Sequence, residues 1–143
     1  MAGGQAIDLA AVGQALTLPE LEQMHIHKTG ALIRASVTLG ARCGSHADAS
    51  TLERLDRYAK CVGLAFQVVD DILDESGTAA SLGKTAGKDK DSGKPTYTSL
   101  LGLAEARRFA DELLAEAHGA LAAFDERAAR LRALADFIVR RDR

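Results

Sequence analysis

Gln67-Val68-Val69-Asp70-Asp71-Ile72-Leu73-Asp74 decides how this chain is read. It closes a run from Cys61 to Leu73 that is apolar apart from Gln67, Asp70 and Asp71. Leu52, Leu55, Ala59, Val62, Phe66, Val69 and Leu73 step by three and four residues, the period of one helix face. Gly63, Gln67, Asp70 and Asp74 form a second stripe about 100° further round. A helix that is apolar on most faces belongs in a protein interior, so three carboxylates at its end need a physical reason.

Asp70 and Asp74 share a face at i,i+4, with Asp71 beside them. On an exposed helix such a like-charged pair costs roughly 0.2–0.5 kcal/mol. In a cleft of effective dielectric near 20, two carboxylates about 5 Å apart repel by roughly 3 kcal/mol. A hard divalent cation removes that repulsion, and magnesium favours one or two carboxylates together with water and phosphate oxygens. The C-terminal end of a helix already disfavours anions, which adds to the case for a cation. Alone, Asp-Asp-x-x-Asp is short and common by chance, and a solvated acidic helix end remains the plain alternative.

Around this helix the signals are helical throughout. Thr17-Leu18-Pro19-Glu20 fits a capping box with proline in the first turn, and predicts a helix over about 18–41 with Leu21, Met24, Ala31, Ala35 and Thr38 inward. Lys28 falls inside that stripe, either snorkelling to its edge or pointing into a cavity that wants an anion. Gly30 in mid-helix costs about 1 kcal/mol relative to alanine and permits a close approach. His25 and His27, two residues apart, face different ways and do not suit one metal. Ser50-Thr51-Leu52-Glu53 reads as a second capping box that starts the central helix, and Glu75-Ser76-Gly77 as its stop.

Residues 77–95 form a long polar stretch with Lys84, Lys88, Lys90 and Lys94. A stretch of this kind is either a functional loop or a solvated linker. It is not a P-loop, because Gly83-Lys84-Thr85 lacks the upstream glycine and strand. A short helix starts at Thr96 and runs until Gly102, then one from Leu103 to about Phe124 and a last one from about Asp125 to Arg140. The basic end, Arg140-Arg141-Asp142-Arg143, is explained by the helix macrodipole alone. At the other end, Gly3-Gly4-Gln5-Ala6-Ile7-Asp8 reads like the tail of a helix, with Gln5 and Asp8 able to share a face.

The chain has 143 residues, 47% hydrophobic and 27% charged, with a net charge of −2. That bounds it to one globular domain (1–143) with no global attraction to nucleic acid or anionic membrane. No apolar run approaches the ~18 residues of a membrane span. No signal-peptide pattern is present. Cys43 and Cys61 lack metal spacing and read as reduced core residues of a cytoplasmic protein. Proline is scarce and strand-type alternation is absent, so the fold class is all-α.

Five stretches in order resemble one family. They are Gly3-Gly4-Gln5-Ala6-Ile7-Asp8, Lys28-Thr29-Gly30, Gln67 to Asp74, Leu82-Gly83-Lys84 and Gly93-Lys94-Pro95-Thr96-Tyr97. Together they are similar to the C-terminal half of the trans-isoprenyl diphosphate synthases, most of all the bacterial members that make farnesyl diphosphate. The resemblance implies the C-terminal helices of the isoprenoid-synthase bundle and a condensation of an allylic diphosphate with isopentenyl diphosphate. It implies Mg2+ at Asp70, with Asp71 and Asp74 in support. It further implies Lys28 and Lys84 on the allylic diphosphate, Thr29 and Gln67 beside the reacting carbons, and Phe66 in the prenyl-tail pocket. The 77–94 stretch would close over the site.

The family's first aspartate-rich motif and its isopentenyl diphosphate ligands belong to upstream helices that these residues do not include. The expectation is therefore a fragment, inactive alone, that self-associates through its Lys28 and Leu52–Leu73 faces. The contrasting expectation is a non-catalytic helical subunit or interaction module.

Overall fold

The computed structural model describes residues 2–44, 47–80 and 95–142. Among the described residues every regular element is helical. They are α1 (Ala2–Ala10), α2 (Leu18–His25), α3 (Ala31–Cys43), α4 (Ala49–Ala80), α5 (Tyr97–Leu101), α6 (Leu103–Ala120) and α7 (Ala129–Arg140). A π-helical turn, Ile26–Gly30, joins α2 to α3, and a 3-10 turn, Glu126–Ala128, leads into α7.

α4 is the axis. Its Tyr58, Val62, Ala65, Val68, Val69 and Ile72 are buried, and they meet Ala106, Ala110, Leu113, Leu114 and Ala117 of α6 in one core. Burying a Val- or Leu-sized side chain contributes about 1.5–3 kcal/mol. α7 closes the core with Ala135 and Ile138, and the Tyr58 hydroxyl donates to the Leu131 carbonyl at 2.7 Å. On the other side, Arg34 of α3 forms an ion pair with Asp56 of α4. Leu21 and Met24 seat α2 in the same core.

Several local expectations are corrected. The helix over 18–41 is not continuous, because Ile26–Gly30 winds as a π turn. The wider turn changes the register of α3. Ala31 and Ala35 are exposed, and the half-buried residues of α3 are Ile33, Val37, Thr38 and Ala41. The cap of α4 is Asp48, whose carboxylate accepts the Thr51 N–H at 2.7 Å, rather than Ser50. α4 also runs through Gly77 to Ala80, since one interior glycine costs only about 1 kcal/mol. α6 ends at Ala120, four residues short of Phe124. Cys61 is buried but Cys43 is exposed, and both are free thiols. Leu134 of α7 is exposed. Finally, most of the Leu52–Leu73 stripe lies in or against the chain's own core, so it offers no bare face for self-association.

Candidate functional site

The site is built where the π turn crosses α4. A Cβ placed on Gly63 would lie 3.2 Å from the Gly30 Cα, so the two backbones pass at glycine distance. This contact fixes α4 beside the turn, and one and two turns later α4 presents Gln67 and Asp70. α1 packs on the same turn from outside. A Cβ on Gly4 would fall 2.3 Å from the Lys28 Cα, a position only glycine can occupy.

The π turn aims Lys28 inward, and its ammonium donates to the Asp8 carboxylate at 2.7 Å. π bulges of this kind recur at functional sites because they re-aim side chains within a helix. Lys28, Asp8, Gln67, Asp70, Asp71, Met24, His25, Pro95 and Thr96 enclose a polar cavity of about 110 Å³. Asp70 and Asp71 of α4 therefore face the same space as Lys28.

The three acids sit in different surroundings. Asp71 accepts the backbone N–H of Tyr97 at 2.7 Å, which anchors the start of α5 to α4. Asp70 forms an ion pair with Arg141. Asp74 is half-buried one turn further along α4. Thr29 is half-buried within the π turn. The Phe66 ring carries the Arg141 guanidinium over one face, 4.3 Å from its centroid. Lys84 lies outside the described residues, as do Lys88, Lys90 and Lys94.

His25 ends α2 and is buried, stacked on Tyr97 with ring centroids 5.5 Å apart. Burial, with the Lys28 charge second, pushes its imidazole down to about 4 against the smaller opposing effects of Gln67 and Asp8. The Gln67 amide lies near the ring, yet among the described residues neither ring nitrogen gains an aligned hydrogen bond. His25 is thus a neutral ring at neutral pH. Burial likewise raises the Tyr97 phenol, reinforced by Glu22 and Asp71. His27 faces outward and its Nδ1 meets the Gln23 carbonyl at 2.7 Å.

The donor chemistry at the acidic end suits a hard cation, because carboxylate oxygens and the Gln67 amide are what magnesium accepts. Among the described residues, no three His, Cys, Asp or Glu side chains are grouped closely enough to hold a metal by themselves. Asp70 instead has its charge met by Arg141. The fit is that of one or two carboxylates completed by water and a ligand's oxygens.

Four participants were missed in the sequence: Asp8 as the partner of Lys28, the two rings of the His25–Tyr97 stack, and Arg141. Asp8 and Tyr97 sat in quoted motifs, but nothing in their spacing says what they touch. Arg141 gave no signal beyond a basic helix end.

A long central helix with an acidic end facing a lysine-bearing π turn, in an all-helical bundle, defines the class of the helical isoprenoid synthases. The polyprenyl synthetase family profile matches residues 1–133, and the chain belongs to that family. It is 49% identical to farnesyl diphosphate synthase of Escherichia coli, an alignment that covers 100% of this chain and 49% of the relative. It is 50% identical to the chloroplastic geranylgeranyl pyrophosphate synthase of Capsicum annuum, over 99% of this chain and 39% of that protein.

A crystal structure of a putative farnesyl-diphosphate synthase from Marinomonas superposes with a TM-score of 0.83 at 40% identity, covering 97% of this chain and 46% of that one. A geranyltransferase from Helicobacter pylori, complexed with magnesium and isoprenyl diphosphate, superposes with a TM-score of 0.76 at 32% identity, over 97% of this chain and 45% of that one. The chain spans about half the length of the curated relatives it matches. Among the described residues no helix is long and apolar enough to cross a membrane.

Proposed function

We propose that this chain carries the leaving-group side of a magnesium-dependent trans-prenyltransferase site, which condenses an allylic diphosphate with isopentenyl diphosphate to form farnesyl diphosphate. The observation that carries the reading is the single cavity shared by Lys28, Gln67, Asp70 and Asp71. The magnesium and isoprenyl diphosphate in the H. pylori neighbour support it.

The hard step in such a condensation is parting diphosphate from carbon. Magnesium, when bound, supplies positive charge that stabilises the departing group. In this chain Asp70 holds the ion, with Asp71 and Asp74 in support directly or through water. Lys28 and Lys84 grip the diphosphate oxygens. Thr29 and Gln67 turn their dipoles toward the reacting carbons, and Phe66 lines the path of the prenyl tail. The family's remaining metal positions lie on helices outside these residues, so the chain alone is expected to yield no product from dimethylallyl and isopentenyl diphosphates.

Thermal melting during a titration with magnesium and inorganic pyrophosphate tests the reading. At one hundred times the dissociation constant, binding should stabilise the fold by about 2.7 kcal/mol. Asp70→Ala should abolish that gain. A wild-type chain that melts identically with and without both ligands would overturn it.

The second reading, a non-catalytic helical subunit, draws on the apolar side chains left outside. Leu9, Leu32 and Leu39 are 71%, 55% and 64% exposed. It predicts a stable complex with a second chain and no ligand-dependent stabilisation.

A further inference from the structure

The helix macrodipole does not account for Arg141. This residue lies one position past α7 in extended backbone, and its side chain is only 15% exposed. Among the described residues its guanidinium turns to α4. It forms an ion pair with Asp70, Nη2 donates to the Phe66 carbonyl at 3.2 Å, and its Cζ sits over the Phe66 ring, 4.3 Å from the centroid. Nε is buried with no hydrogen-bond partner among the described residues. The neighbouring Arg140 is by contrast 75% exposed and reaches Asp136 only at 3.8 Å.

These contacts come at a physical cost. Ordering an arginine and burying one N–H unsatisfied both oppose the docked position. What offsets them is the charge of Asp70, which shares its stretch of α4 with Asp71 and, one turn on, Asp74. Arg141 therefore occupies the place where a positive charge is needed. A guanidinium and a divalent cation held on one carboxylate repel each other, so the two compete for Asp70.

We propose that Arg141 is the resident counter-cation of Asp70, holding the carboxylate in place until a divalent cation displaces it. Metal binding at Asp70 and release of the segment after α7 are then one exchange. The cation must compete with the arginine, so the site's affinity for metal is set lower than its carboxylates alone would give. The displaced guanidinium, freed beside Asp70, keeps its charge near any anion that arrives with the metal. This inference rests on the reading that Asp70 is a metal ligand.

The test is a Mn2+ titration of the full chain, read by electron paramagnetic resonance of free Mn2+, alongside urea unfolding in EDTA. Arg141→Gln should bind Mn2+ about tenfold more tightly than wild type while being less stable in EDTA. A residue with only a structural role would lower both. Arg140→Gln, which also removes one positive charge nearby in sequence, should leave affinity within about twofold, on the scale of a screened surface charge. Arg141→Lys should bind with intermediate affinity, since it keeps the charge but loses the planar stack. In arginine-selective NMR of the wild type, Mg2+ should speed solvent exchange of the Arg141 Nε–H. Equal affinity in wild type and Arg141→Gln, with binding still abolished by Asp70→Asn, would overturn the exchange and leave the metal reading intact. Binding that Asp70→Asn does not weaken, or no binding in any variant, would overturn both.

Discussion

The Lys28 ammonium and the Asp8 carboxylate meet at 2.7 Å with their side chains only 29% and 14% exposed. The pair joins α1 to the π turn across twenty residues of sequence. A partly buried pair of this kind is strongly destabilising to break from one side, because the surviving charge keeps its desolvation cost. Lys28→Met and Asp8→Asn should each cost about 1–3 kcal/mol. The double variant should cost less than their sum, by about 0.5–3 kcal/mol. Strict additivity in urea unfolding would show that the contact contributes nothing.

Glycine does separate work at two places in the same corner. Gly4→Ala would drive a methyl to 2.3 Å from the Lys28 backbone, and Gly63→Ala would bring one to 3.2 Å from the Gly30 Cα. Overpacking of this sort costs about 1–3 kcal/mol. The Gly4 variant should relieve the clash by lifting α1 away, seen as faster hydrogen exchange over α1 and the π turn with α4 and α6 still protected. The Gly63 variant should instead lower the melting temperature of the whole unit. Gly3→Ala, in the first turn of α1, meets nothing within 4 Å, and should be neutral or stabilising by less than the ~1 kcal/mol of a helix interior.

The all-helical class and α4 itself were legible because a 3.6-residue period running from Leu52 to Leu73 has one structural solution. The acidic end was legible as a cost in search of a compensating charge. What escaped is what depends on partners distant in sequence. The π turn left no mark, since Ile26–Gly30 carries the same residue types as an α-helical turn. Its effect appears in the inward aim of Lys28 and in α3, where Ala31 and Ala35 turn out to solvent. Gly77 read as a stop because glycine often is one, yet α4 had enough buried length behind it to continue. Arg141 was assigned to the nearest dipole when the carboxylate of Asp70, seventy-one residues away, was the stronger attraction.

His25 gives the fold a pH dependence. Its imidazole is held at about 4 against an ordinary value of 6.5, mainly by burial. The unfolded chain therefore takes up a proton at this residue between pH 6.5 and 4 that the folded chain does not. Stability is fully present above that window and falls with acidity through it, by about 1.4 kcal/mol per pH unit from this group. His25→Phe keeps a ring against Tyr97 and removes the titration. Between pH 7 and pH 5 the urea midpoint of the wild type should therefore fall further than that of the variant. An equal fall in both would show that the ring takes up its proton in the folded state.

The face that remains bare belongs to α3. No residue of this helix is fully buried, and Leu32 and Leu39, seven residues apart on one side, are 55% and 64% exposed. Ile26 on the preceding turn and Leu9 on α1 add 42% and 71% exposure. Apolar surface of this extent seldom stays in contact with water. A second copy of the chain offers the same surface, and a pairing through it would be isologous and self-limiting. Light scattering at micromolar concentration should return twice the mass of one chain. Leu32→Gln with Leu39→Gln should return the mass of one chain without loss of helicity, because neither side chain enters the core. A wild-type chain that scatters as a single copy would rule the pairing out, and a double variant that still pairs would move the contact to α1.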